Sequence, residues 1–167
     1  MKQLLPYRIL TFILLPVAAL IGLITLLGLF VALANPTVLL PLFILACVVI
    51  YIISSFIFLQ KGIDQNRVCK ASLKDWIRVN AIVSVVFCAM FMFQTVGILS
   101  RPDLLNDTLQ QAMKAQQNIP AGSEIMVMKA VKGMLYFMMI FSLLLLLHIL
   151  LTFRALNFYK DLFEEKV

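Results

Sequence analysis

One long uncharged run limits the possible folds of this chain more than any other feature. The 52 residues from Ile9 to Gln60 contain no Asp, Glu, Lys, Arg or His. As a single helix, this run would be about 78 Å long at about 1.5 Å per residue, whereas the hydrocarbon core of a bilayer is about 30 Å thick. The run must therefore fold back on itself within a membrane, and the turn-forming pair Asn35-Pro36 marks the place.

A polar block separates this run from a second uncharged one. Lys61–Arg78 is the densest run of charge in the chain, and the 22 residues Val79–Ser100 that follow it are again uncharged. Of the 167 residues, 63% are hydrophobic and 13% are charged, against about half and about a quarter in a soluble domain. We therefore predict one integral membrane domain over residues 1–167.

The alternation of uncharged runs with polar segments predicts an all-α fold, an integral membrane four-helix antiparallel bundle. The first span is expected to be retained, because the apolar run Ile9–Leu33 is about twice as long as a signal-peptide core. The predicted segments are spans at about residues 9–34, 37–60, 73–99 and 124–156, an inner loop at 61–72 and an outer loop at 100–123.

The distribution of Lys and Arg predicts the orientation of these spans. With the N-terminus in the cytoplasm, ten such side chains fall on the inner side, and four fall on the outer side: Arg101, Lys114, Lys129 and Lys132. Membrane proteins carry this kind of excess on their cytoplasmic loops. We therefore predict a multi-pass protein of the cell inner (plasma) membrane with both termini cytoplasmic.

A short amphipathic helix is predicted in the second outer loop. Leu105, Leu109, Ala112 and Met113 recur at i, i+4, i+7 and i+8, which is the spacing of one helix face. Such a helix would lie on the outer leaflet or over the mouth of the bundle.

The third span carries a polar stripe. Asn80, Ser84, Cys88 and Thr95 fall at i, i+4, i+8 and i+15, and Gln94 lies near them. Polar groups facing lipid would lack partners, so the stripe is expected to face the bundle interior. It either holds the bundle together through hydrogen bonds between helices or lines a polar path or a small-ligand site.

Three further polar side chains lie on the fourth span. Lys129 and Lys132 are three residues apart and either snorkel to lipid phosphates or line an anionic lipid or ligand site. His148, the single histidine, is expected to bond a backbone group or a hydroxyl of a neighbouring helix. The alternatives for His148 are a proton relay or one haem ligand, although the chain has no second histidine for a bis-histidine site.

Several chemistries are disfavoured by the sequence. The three cysteines form no C-x-x-C pair, and no Asp or Glu lies in the core of a span. We therefore expect no enzyme, no cofactor and no metal site. The net charge of +6 is explained by cations at span ends, so no nucleic-acid partner is expected.

Two short stretches carry a family resemblance. Gly62–Arg67 followed by Ser72–Lys74 resembles the inner loop of a bacterial family of small four-span membrane proteins of uncharacterised function, and the tail Ala155–Leu162 is similar in position. The chain departs from that family in its long outer loop and at Val68-Cys69, where an aromatic is usual. Members are often encoded beside a helix-turn-helix regulator, so the resemblance implies a bacterial inner membrane and a regulatory role.

The sequence leaves three possible functions. We expect a non-enzymatic regulatory or partner-binding protein, whose partner is a cytoplasmic regulator or another membrane protein. The alternatives are a self-assembling pore or transport subunit, which would be a homo-oligomer, and an accessory subunit of a larger membrane complex. The residues expected to bind the partner are Arg67, Lys70, Lys74, Asp161, Glu164 and Glu165.

Overall fold

The structure, a computed structural model, describes residues 4–101, 103, 106–107 and 124–163. These residues form four long helices and, within the described ranges, no strand. Each long helix, in one case together with its short flanking segments, is long and apolar enough to cross a membrane. The prediction of an all-helical chain with four membrane-spanning candidates is therefore confirmed. The long helices are α1 (Leu5–Ala34), α2 (Leu39–Ile57), α3 (Ala71–Leu99) and α4 (Glu124–Phe158).

Three short segments complete the described helical structure. A 3₁₀ turn at Pro36–Val38 joins α1 to α2, a π-helix at Phe58–Asp64 continues α2, and a second 3₁₀ turn at Lys160–Leu162 follows α4. The predicted amphipathic helix of the second outer loop lies outside the described residues, apart from Asp103, Asn106 and Asp107.

The helices extend beyond the apolar runs from which they were predicted. The first helix begins at Leu5, with a proline in its first turn, and the second continues as a π-helix to Asp64, into the predicted inner loop. A charged side chain does not end a helix, because its backbone can still bond to the preceding turn while the side chain reaches water. The turn comes instead at Asn66, which has a left-handed φ of 49°.

Asn35 and Pro36 form the turn between α1 and α2. The Asn35 N–H donates to the Val31 carbonyl (2.9 Å), and the Asn35 Oδ1 accepts from the Thr37 N–H (3.2 Å) and hydroxyl (2.6 Å). Near this turn the two helices approach closely, since a Cβ added to Gly28 would lie 2.5 Å from the Leu42 Cδ2. A small residue is what allows that approach in lipid.

The described residues fall into two compact units. The first contains residues up to Phe87 together with those from Leu145 onward, and the second is Cys88–Leu144. The core of the first unit is apolar side chains of α1, α2, α3 and α4, among them Leu14, Val48, Ile52, Ile77, Leu145 and Leu156. The second unit buries Cys88, Thr95, Phe141 and Ser142, and the Ser142 hydroxyl has no hydrogen-bond partner in the described part of the chain.

Candidate functional site: a buried polar network and a basic inner face

Three helices of the first unit each place a pair of polar side chains at i and i+4 in its interior. Residues four apart lie on one face of a helix, so each pair faces the same neighbours. All six side chains are buried, with exposures of 1% or less. The pairs are Tyr7 and Thr11 on α1, Tyr51 and Ser55 on α2, and His148 and Thr152 on α4.

His148 lies at the centre of this network. Its Nδ1 is 2.8 Å from the Tyr51 hydroxyl, and its Nε2 is 2.9 Å from the Thr11 Oγ1. The imidazole also stacks on the Tyr7 ring, with centroids 5.2 Å apart and planes at 22°. The expectation that His148 bonds a hydroxyl of a neighbouring helix is confirmed, and it bonds hydroxyls of two.

The remaining bonds close the network across α1, α2 and α4. The Tyr51 hydroxyl is 2.8 Å from the Thr152 Oγ1, which donates to the His148 carbonyl (2.8 Å). The Tyr7 hydroxyl is 2.7 Å from the Ser55 Oγ and donates to the Ser55 carbonyl (3.1 Å). Every hydroxyl of the network therefore has a partner, as buried polar groups require.

Both tautomers of the imidazole satisfy the hydrogen bonds of its two ring nitrogens. If Nδ1 carries the proton, it donates to Tyr51, which donates to Thr152, while Thr11 donates to Nε2. If Nε2 carries the proton, it donates to Thr11, which turns its own proton to the Tyr7 carbonyl (2.7 Å), while Tyr51 donates to Nδ1. The partners of both ring nitrogens are hydroxyls of neighbouring helices, Thr11 on α1 and Tyr51 on α2.

The polar stripe of α3 divides between the two units. In the first unit, Asn80 and Ser84 are buried and bond their own helix, through the Trp76 carbonyl (2.8 Å) and the Asn80 carbonyl (2.7 Å). In the second unit, Cys88 and Thr95 are buried, whereas Gln94 is exposed. The side chains of Lys129 and Lys132, also in the second unit, are both exposed.

At one end of the first unit, the chain after α4 docks against the loop before α3. The Cys69 N–H donates to the Leu162 carbonyl (2.7 Å), and Phe163 stacks on Phe58 with ring centroids 5.2 Å apart. Gly62 makes room for this contact, since a Cβ there would lie 3.0 Å from the Phe58 ring and 3.3 Å from the Cys69 Sγ. The tail is thus held by one backbone bond and one aromatic stack.

The described residues among those predicted to bind a partner are spread over this end of the unit. The side chains of Arg67 and Lys70 are exposed on the loop, and Asp161 is exposed on the tail. The Lys74 ammonium lies 5.5 Å from the centre of the Phe163 ring, so this lysine meets the tail through an aromatic ring. Glu164 and Glu165 lie outside the described residues.

A basic cavity of about 430 Å³ lies between the end of α2 and the start of α3. Lys61, Arg67 and Lys70 line it together with Trp76, and none of its ten lining residues is acidic. The other six lining residues are Ser54, Ile57, Val68, Cys69, Ser72 and Leu73. The sequence predicted the basic block but not this cavity, because the cavity arises from the way the loop turns back at Asn66.

Cys69, which lines this cavity, is held as the protonated thiol at neutral pH. Burial raises the pKa of its thiol above the usual value, and the nearby Lys61 opposes that rise only in part. Because the thiolate is the reactive form, the side chain is largely unreactive at neutral pH. Within the described ranges, moreover, no three His, Cys, Asp or Glu side chains are grouped so that they could hold a metal ion.

Comparison with known proteins finds no relative. No family model, no curated protein and no solved structure matches the chain.

Proposed function

We propose that the protein is a non-enzymatic, multi-pass protein of the cell inner membrane that binds a partner through its basic inner face. We define the basic inner face as the exposed Arg67 and Lys70 of the loop before α3, together with Lys74 and the docked tail. The partner would be a cytoplasmic regulator or another membrane protein with an acidic surface.

The observation that carries this proposal is the docked tail. It holds the loop through Cys69 and engages Lys74 through Phe163, yet leaves Arg67 and Lys70 exposed. Exposed charges of one sign attract and orient an oppositely charged partner, and a loop whose backbone is already held needs less ordering on binding.

An antiparallel bundle with both termini cytoplasmic is part of the proposal. In that arrangement, the start of α1, the end of α2 and the end of α4 meet at the same depth in the membrane. The bonds from His148 to Thr11 and to Tyr51 join those three regions of the first unit, which supports it. The excess of Lys and Arg on the same side supports it independently.

A charge reversal tests the partner surface. The variant Arg67→Glu/Lys70→Glu/Lys74→Glu should lose its partner, because an acidic partner would now be repelled. The measurement is native mass spectrometry of particles extracted gently from native membranes, where the unaltered chain should carry a second protein in fixed ratio.

The matched control reverses three cations at the other ends of the spans, in Arg101→Glu/Lys129→Glu/Lys132→Glu. It makes the same change in net charge and should keep the partner. Retention of the partner by the first variant, at unchanged helical content, would contradict the proposal.

Two other functions remain as alternatives. A self-assembling pore would use the stripe of α3, yet Asn80 and Ser84 give their hydrogen bonds to their own helix rather than to a path. The second alternative, an accessory subunit of a larger membrane complex, predicts several co-purifying proteins rather than one. A homo-oligomer of defined number in the same mass spectra would favour the pore instead.

A further inference from the structure

We propose that the basic cavity between α2 and α3 is a binding site for the phosphate of an anionic phospholipid. This inference deepens the proposed function and rests on it, since Arg67 and Lys70 belong to both the cavity and the basic inner face. It adds Lys61, which was not assigned to the partner surface, and it names the chemistry of the ligand.

The charge of the cavity selects an anion. Lys61, Arg67 and Lys70 approach it from the π-helix and from the loop, and none of the lining residues is acidic. The nearest acid in sequence, Asp64, is paired with Arg8 of α1. The first turn of α3, the positive end of its helix dipole, also contributes lining residues.

The size and the position of the cavity select a lipid headgroup. Its volume of about 430 Å³ lies within the range of small-molecule sites, about 300–1,000 Å³. It lies where two helices long and apolar enough to span a membrane reach the polar block of the chain. A phospholipid phosphate occupies that same level of a bilayer.

The apolar side of the cavity distinguishes a lipid from a soluble phosphate. Ile57, Leu73 and Trp76 form part of its lining, and the Trp76 side chain is 56% exposed. Indole rings favour the headgroup level of a membrane. The phosphate would therefore lie among the cations, and the glycerol and first acyl carbons would pass along these apolar side chains.

Neutralising the cavity tests the proposal. The purified full-length chain is delipidated in detergent and titrated with phosphatidylglycerol or phosphatidylcholine, with bound lipid counted by native mass spectrometry. We expect Lys61→Gln/Arg67→Gln/Lys70→Gln to bind phosphatidylglycerol at least about tenfold more weakly, since each cation near a membrane surface contributes severalfold. Phosphatidylcholine should bind weakly to both proteins.

The control variant Arg101→Gln/Lys129→Gln/Lys132→Gln removes the same charge elsewhere and should keep its affinity within about twofold. An equal loss in both variants would show non-specific attraction and would overturn the proposal. Displacement of the lipid by micromolar glycerol 3-phosphate would overturn it too, because the ligand would then be a soluble phosphate ester.

The charge-retaining variant Lys61→Arg/Lys70→Arg should still bind phosphatidylglycerol. Its failure to bind the lipid would contradict an electrostatic site.

Two single changes separate this site from the partner surface. Lys61→Gln should weaken lipid binding severalfold and leave partner capture unchanged, since Lys61 lies in the cavity and outside the proposed partner surface. Lys74→Glu should weaken partner capture and leave lipid binding unchanged, because Lys74 does not line the cavity. Loss of lipid binding alone would leave the partner proposal standing, and the reverse also holds.

Discussion

Among single residues, His148 shows how a polar side chain is accommodated inside a membrane-spanning helix. Both of its ring nitrogens have a hydroxyl partner on another helix, at 2.8 and 2.9 Å. A buried imidazole without such partners would be strongly destabilising, because its polar atoms would be left unpaired in an apolar interior. The histidine therefore acts as a connection between α1, α2 and α4 rather than as a site open to solvent.

The first prediction concerns this connection. His148→Leu should lower the free energy of unfolding by about 1–3 kcal/mol, because it removes two hydrogen bonds, those of the ring to the buried Thr11 and Tyr51 hydroxyls. In the double-mutant cycle with Tyr51→Phe, the two changes should be coupled by about 0.6–1.7 kcal/mol, as for other hydrogen bonds in membranes. Thermal unfolding in detergent can be followed with a thiol-reactive dye, since all three cysteines are free and buried.

Leu150→Ala is the matched control for this cycle, because Leu150 lies on the same helix but is exposed. It should change the unfolding temperature little and show no coupling to Tyr51→Phe. Strictly additive effects of His148→Leu and Tyr51→Phe would show that their hydrogen bond adds nothing to stability.

Among the structural elements, the π-helix, the loop before α3 and the tail after α4 are held together by contacts between short segments. The π-helix presents Phe58 to the ring of Phe163, and the loop presents the Cys69 N–H to the tail. Each contact is small, yet together they cover Cys69, which is only 5% exposed. The reactivity of this one thiol therefore reports whether the tail is docked.

The second prediction uses that thiol. Phe163→Ala should raise the rate of Cys69 alkylation by iodoacetamide severalfold, because the aromatic stack that holds the tail is lost. Phe158→Ala is the control, since the Phe158 ring is 77% exposed and contacts Tyr159 instead. Mass spectrometry of the peptide that contains Cys69 separates its reaction from those of the other two cysteines.

The same assay has a defined pH dependence. Burial raises the pKa of the Cys69 thiol, so the thiolate fraction and the alkylation rate should keep increasing from pH 7 to pH 9. A rate that levels off within this interval would contradict a raised pKa, and equal rates in Phe163→Ala and the unaltered chain would contradict the docked tail.

For the whole molecule, orientation is the property on which both proposed surfaces depend. The partner surface and the lipid site both use cations at the end of the first unit that carries the loop between α2 and α3. If that end faces the cytoplasm, a cytoplasmic regulator can reach it. The opposite orientation would leave the fold of the chain intact and remove such a partner.

The third prediction therefore concerns topology. In a chain whose natural cysteines are replaced by alanine, Asn35→Cys and Arg101→Cys should react with a membrane-impermeant maleimide on intact cells. Gln65→Cys should react only after the membrane is opened. All three positions are exposed, so access depends on the side of the membrane rather than on burial. The reverse pattern would overturn the assignment of cytoplasmic termini.

The features that the sequence predicted well depend on long-range averages of residue type. Four helices of membrane-spanning length follow from the uncharged runs, and burial of Asn80, Ser84, Cys88 and Thr95 follows from helical spacing. The sequence predicted the network around His148 only in part. The i, i+4 pairs on α1 and α2 were present in the sequence, but spacing along a helix does not say which helices meet.

The sequence by itself determined that the chain is helical and that it has four segments long and apolar enough to cross a membrane. These properties follow from the cost of placing charge and unpaired backbone groups in hydrocarbon, which depends on composition alone. Only the tertiary structure decided that His148 joins three helices, that the tail docks on Cys69, and that three cations share one cavity. Those results depend on contacts between segments up to 137 residues apart, which local sequence patterns do not specify.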